Sequence, residues 1–288
     1  MRVILLTSAA LVGFSANSLL TRAALGDGAI DAPSFTLIRL ATGALTLLVL
    51  LRLRGATARA GDAWMSALAL AGYALAFTIA YTRIGAAVGA LLLFGAVQVT
   101  MTGTGLVRGE RPRRLDWIGV ALALGGLVAL TLPGLTSPDA LGATLMLAAG
   151  ACWGVYSLAG QRAGDPLATT AGNFARATLL AVLALGAFGA FGALSALGGR
   201  AHVTPRGVLL ATLSGTLASG VGYTLWYAAL PALAAWRAAL LQLIVPALTA
   251  LLAAMLLGEA ITPRLVIASA LIGIGVWITI ARTTPITR

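Results

Sequence analysis

Residues 108–116 read RGERPRRLD, six charged side chains in nine positions of a chain in which 9% of residues are charged. Residues 257–265 read LGEAITPRL, and there Gly109-Glu110 recurs as Gly258-Glu259, an offset of 258 − 109 = 149. The order Gly-Glu, then Arg-Leu (114–115 and 264–265), is kept in both copies, while most of the arginines are lost from the second. What surrounds the two turns accounts for the difference.

On either side lie apolar runs of about 20 residues, the length a helix needs to cross a hydrocarbon core at ~1.5 Å per residue. Hydrophobic residues fill 60% of the 288 positions and the mean hydropathy is +0.99, far above a soluble domain. The alternation of a transmembrane strand is absent. The runs fall at approximately 3–21, 33–51, 63–82, 84–107, 116–132, 140–160, 167–192, 206–229, 235–257 and 263–281. They predict an all-α polytopic membrane protein of ten transmembrane helices, with Pro231 separating the eighth span from the ninth. The opening MRVILLTSAALVGFSA has the shape of a signal peptide, but further spans follow, so it is expected to stay as the first helix.

Arginine carries all the positive charge, because the sequence contains no lysine. The arginines sit in turns between apolar runs rather than on one solvated face, which argues against nucleic acid and for membrane topology and anionic lipid headgroups. With the N-terminus in the cytoplasm, Arg2, Arg52, Arg54, Arg59, Arg108, Arg111, Arg113, Arg114, Arg162, Arg282 and Arg288, 11 in all, face inward. Arg22, Arg83, Arg200, Arg206 and Arg264, 5 in all, face outward. The positive-inside rule therefore predicts both termini in the cytoplasm of a bacterial-type inner membrane.

Five spans per half put equivalent turns on opposite sides, so RGERPRRLD is inside and its copy outside. Loss of arginine from the second copy is then the mark of inversion. Arg39 in the second span and Arg176 in the seventh make a second echo. The expected organisation is two inverted five-helix repeats, 1–135 and 136–288, in one integral membrane domain, an arrangement associated with transport through a site between the halves.

The ordered segments FSANSLLTRAAL (14–25), PSFTLIRLATGALTLL (33–48), GALLLFGAVQVTMTGTGLVRGE (89–110) and AALLQLIVPALTALLAAMLLGE (238–259) resemble the drug/metabolite transporter superfamily, EamA type. WIGVALALGGLVAL (117–130) and LVIASALIGIGVWI (265–278) fit the same pattern. Within it the chain is most similar to the exporters of aromatic amino acids and methionine. The resemblance implies an alternating-access exporter, with other metabolites or drugs as the alternative cargo. It also implies a hinge at Pro246 in the ninth span. Val97 stands at the equivalent first-half position, so Gly95 becomes the candidate weak point there.

Aromatic residues recur at helical spacing, Tyr73, Phe77 and Tyr81, then Trp153 and Tyr156, then Tyr223 with Trp226 and Tyr227. Such stripes serve either an amphipathic cavity or helix packing. Trp64, Trp117, Trp277 and Trp226 read as an interfacial belt. Asn17, Gln98, Asn173 and Gln242 are amides within spans that need a protein, water or ligand partner; Asn17, Gln98 and Gln242 join the candidate substrate-binding set. Arg39 and Arg176 are gate or structural charges. Small residues such as Gly119 with Ala123 and Ser269 with Gly273 read as close helix packing.

No carboxylate lies in the middle of a span, which argues against a built-in proton relay and leaves Glu110 and Glu259 as the fallback. One cysteine, Cys152, and one histidine, His202, provide no metal cluster. No HExxH or GxSxG motif suggests an enzyme. No cofactor is expected; the partners are a small-molecule substrate and the bilayer, and the chain is expected to act as a monomer. A membrane-embedded enzyme or a scaffold is the remote alternative.

Overall fold

The computed structural model describes residues 1–56, 64–132, 139–190, 201–258 and 260–281. Arg59, Asp62, Arg200, Glu259, Arg282, Arg288 and the expected boundary at 135 lie outside them. Among the described residues ten helices are long and apolar enough to span a membrane. They are α1 (Arg2–Thr21, continued by a π turn Arg22–Gly26), α2 (Ala32–Leu53), α3 (Trp64–Tyr81), α4 (Ala86–Val107) and α5 (Arg114–Thr131). The second set is α6 (Ala140–Gly160), α7 (Pro166–Ala190), α8, α9 (Ala235–Gln242 and Ile244–Leu257) and α10 (Pro263–Ile280). Helix α8 starts as Pro205–Leu213, passes through a π segment Ser214–Val221, and resumes as Gly222–Ala229. Ten crossings return the chain to the face on which it began, called here the terminal face.

The charged loop residues start and stop these helices. Asp31, Asp139, Thr204 and Thr262 accept backbone N–H groups at the first turns of α2, α6, α8 and α10, and Asp116 accepts from the Arg113 N–H at 2.7 Å. These side chains satisfy amides a helix start leaves open. Both Gly-Glu pauses are helix ends at which glycine turns left-handed, with φ of 87° at Gly109 and 69° at Gly258, a conformation only glycine adopts without steric cost. Adding 149 to the bounds of α5 gives 114 + 149 = 263 and 131 + 149 = 280, the bounds of α10.

Packing follows the same correspondence. Helix α3 lies on α6 and α7, α4 on α6 and α9, α2 on α7 and α8, α1 on α8 and α9, and α5 on α10. Exchanging the first five helices with the last five converts α1–α8 into α6–α3, α1–α9 into α6–α4 and α2–α8 into α7–α3, while α2–α7, α4–α9 and α5–α10 map onto themselves. The α5–α10 seam is close enough that a β-carbon on Gly119 would strike the Gly275 carbonyl, and one on Gly126 the Ala268 carbonyl. These are equivalent contacts, since 126 + 149 = 275 and 119 + 149 = 268. Gly275, rather than the expected Gly273, makes this approach, because Gly273 faces open space.

Helix α9 breaks into Ala235–Gln242 and Ile244–Leu257 at Leu243. Pro246 has no N–H to offer Gln242, which leaves that carbonyl free of the helical ladder. Helix α4 runs unbroken through Gly95, because glycine keeps its N–H and the ladder stays closed. The expected first-half break is therefore absent from this conformation. Trp226 departs from the expected belt too: it is fully buried and donates its indole N–H to Ser157 Oγ at 3.1 Å. Trp64, Trp117 and Trp277 are exposed near helix ends.

Candidate functional site

The helices enclose a funnel that opens on the face opposite the terminal face. Its mouth, about 240 Å³, is walled by Arg22, Tyr81, Ala86, Thr131, Met146 and Ala253 among others. It narrows past Ser18, Phe77, Leu93, Phe94 and Val245 into a chamber of about 30 Å³ bounded by Phe14, Asn17, Tyr73, Trp153, Tyr223 and Gln242. The chamber holds about two waters. In this conformation an amino-acid-sized solute fits the mouth and reaches the chamber with one small polar group.

Aromatic packing closes the narrow end. Phe14 stands edge-on to Trp153 with centroids 5.2 Å apart, and Trp153 meets the Tyr73 and Tyr223 rings at 4.9 and 4.7 Å. The Trp153 indole N–H donates to Gln242 Oε1, and the Gln242 amide donates onward to the Ala238 carbonyl at 3.1 Å. Beneath this layer Tyr227 donates to the Tyr156 carbonyl at 2.8 Å. At the terminal face Glu110, on the loop after α4, accepts the Ala235 and Trp236 N–H groups at 2.9 and 3.3 Å. Gln161 donates to the Leu233 carbonyl at 2.9 Å and accepts from Arg108 at 3.2 Å. The seal on this side thus ties the two halves together through hydrogen bonds at a helix start.

The two intrahelical arginines have different surroundings. Arg39 is 1% exposed; its Nε donates to Ser219 Oγ at 2.9 Å, its Nη2 to the Tyr223 hydroxyl, and its guanidinium lies 5.5 Å from the Tyr73 ring centroid. Ser219 and Ser214 in turn reach Asn17 Oδ1, at 3.5 and 2.7 Å. Arg176 is half-buried and stacks over Trp64 at 5.6 Å, reaching toward the terminal face.

Of the residues expected to bind substrate, the structure brings Asn17, Tyr73, Phe77, Trp153, Tyr223 and Gln242 to the chamber and Tyr81 to the mouth. Gln98 and Tyr156 line neither: Gln98 accepts from Thr102 on its own helix at 3.3 Å, and Tyr156 is buried behind Trp153 and Tyr223. Phe14, Ser18, Phe94 and Ser219 were missed. Phe14, Asn17 and Ser18 share one helical face at i, i+3, i+4, a spacing that was available in the sequence. Ser219 is one of several small residues in its span, and nothing along the chain reveals that Arg39 points at it. Among the described residues no group of histidine, cysteine or carboxylates could hold a metal.

A ten-helix bundle built around an aromatic funnel is the architecture of a multi-pass membrane transporter, and the chain belongs to the EamA-like transporter family, whose model matches residues 140–281. It is 51% identical over 265 residues to an uncharacterized protein of Pseudomonas aeruginosa strain PAO1, covering 92% of this chain and 89% of the relative. It is 34% identical over 243 residues to the threonine/homoserine exporter RhtA of Salmonella typhimurium strain LT2, covering 81% and 76%. The RhtA of Escherichia coli K12 is 32% identical over 244 residues, covering 81% and 77%. A crystal structure superposes with a TM-score of 0.79 at 20% identity over 99% of both chains, a likeness of fold.

Proposed function

We propose that the protein exports amino acids across a bacterial inner membrane by alternating access, with aromatic amino acids and methionine as the leading cargo. The observation that carries this reading is the funnel: an aromatic wall for an apolar side chain, with two amides and hydroxyls at its closed end and a buried arginine behind Tyr223. That combination suits a solute with one apolar and one zwitterionic end. Likeness to two threonine/homoserine exporters favours amino-acid cargo in general, and the small chamber also suits threonine or homoserine, the second reading.

The exchange of helix contacts supports two inverted repeats, 1–135 and 136–288, that rock about the site. With both termini cytoplasmic, this conformation is open to the outside and sealed to the inside. The described carboxylates cap helices or pair at the surface, so cargo moves down its own gradient without a proton relay, and the chain works as a monomer. Counterflow of labelled phenylalanine, methionine, threonine and homoserine into proteoliposomes, with no pH difference or membrane potential, tests this. Accelerated uptake of one or more is expected; exchange that appears only under an imposed pH gradient would overturn the relay-free mechanism, and no exchange of any would overturn the cargo class.

A further inference from the structure

Arg39 is a full positive charge with almost no solvent contact, and no carboxylate pairs with it among the described residues. It is held by two neutral hydroxyls, and its Nη1 has no hydrogen-bond acceptor. A buried cation in this state lacks the counter-charge that normally offsets its desolvation. One of its two hydroxyl partners, Tyr223, also bounds the chamber. A phenol that accepts a bond from a guanidinium still has its own O–H to donate, and the charge behind it strengthens that donation. The second partner, Ser219, is fixed to Asn17, another chamber residue, and lies in the π segment of α8. Inserted residues of this kind recur at functional sites.

We propose that Arg39 and Tyr223 form the docking station for the cargo's carboxylate. The carboxylate accepts the Tyr223 O–H at the closed end of the funnel and supplies the counter-charge that Arg39 lacks. Tyr223 makes the contact; Arg39 is the positioning residue that orients and polarises it. The cargo's side chain then extends back along Phe77 toward the mouth. Arg176, half-buried against Trp64 and away from the chamber, has no such part. This rests on the export reading for the identity of the anion, but not for the existence of the station.

Binding to the purified full-length protein in detergent, followed by tryptophan fluorescence, separates the two. The probes are 3-phenylpropionate and 3-hydroxybutyrate, which carry the carboxylate without an ammonium group, 2-phenylethylamine, which carries the converse, and sodium chloride. At least one carboxylate should bind the wild type ten or more times more tightly than 2-phenylethylamine. Tyr223→Phe, a loss of one oxygen, should lower that preference at least tenfold; Arg39→Gln should do the same, and Arg39→Lys should restore part of it. Should Arg39→Gln fail to give a monodisperse protein, Tyr223→Phe alone decides. An unchanged preference in Tyr223→Phe would overturn the station, as would tighter binding of the amine by the wild type. Equimolar chloride displacing the carboxylate would reassign it to halides and overturn it equally. Carboxylate preference that depends on Tyr223 in a protein showing no amino-acid counterflow would support the station and count against the export reading alone.

Discussion

At the scale of single residues, Trp153 links the chamber wall to the Gln242 amide. It bounds the chamber, stacks with four aromatic neighbours and donates its N–H to Gln242. Trp153→Phe keeps a ring but leaves the buried Gln242 carbonyl oxygen without its donor, a cost of about 1–3 kcal/mol. Amino-acid counterflow is expected to fall at least fivefold and the melting temperature to drop, with the protein still monodisperse. Trp277→Ala, at a side chain 67% exposed, should leave both nearly unchanged. Equal losses in the two variants would show that Trp153 matters only as bulk. The stripe containing Trp153 was legible in the sequence. Which of its members faced the cavity was not, because i, i+3 spacing fixes a helix face and leaves open which neighbour it meets; hence Tyr156 falls behind the wall while Trp153 forms it.

At the scale of elements, the seal at the terminal face depends on a carboxylate of one half capping a helix of the other. Glu110 places negative charge at the start of α9, where unsatisfied amides and the helix dipole both favour it. Glu110→Gln keeps acceptor geometry for one amide and loses the charge, weakening the cap by roughly 1 kcal/mol. The ratio of sealed to unsealed molecules should fall, on the order of fivefold by that energy. A cysteine placed at Ala238, buried in this conformation, should be labelled faster from the terminal face in the Glu110→Gln background with Cys152 replaced by serine. An unchanged labelling rate would mean that Gln161, Arg108 and the aromatic layer hold the face shut without Glu110. In the sequence Glu110 is legible as a carboxylate outside the middle of any span. That the capped helix belongs to the other half follows only from α4 lying against α9.

At the scale of the whole molecule, the arginine asymmetry predicts which face is cytoplasmic. Cysteines placed in 111–114 should react with an impermeant reagent only from the cytoplasmic side of intact membranes, and cysteines in 260–264 only from outside. Labelling of both sets from one side would remove the inverted arrangement, since the two loops follow equivalent helices. The α5–α10 seam repeats its own Gly119 and Gly126 contacts under the same 149-residue shift as the Gly-Glu turns, so one correspondence governs sequence, helix ends and packing.

The sequence by itself determined the solvent, the number of spans and where most helices begin and end, because these depend on local quantities: apolar run length, capping side chains and glycine at a left-handed turn. It also marked Pro246, whose missing N–H breaks a ladder in any context, whereas Gly95 keeps its N–H and α4 stays continuous. Only the tertiary structure decided which side of each helix faces the funnel, that Trp226 is buried rather than interfacial, and that Arg39 meets Ser219 and Tyr223 while Arg176 meets Trp64. Those outcomes are contacts between residues as far as 184 positions apart along the chain. In a bundle whose helices are apolar on every side, no amphipathic stripe tells one face from another in advance.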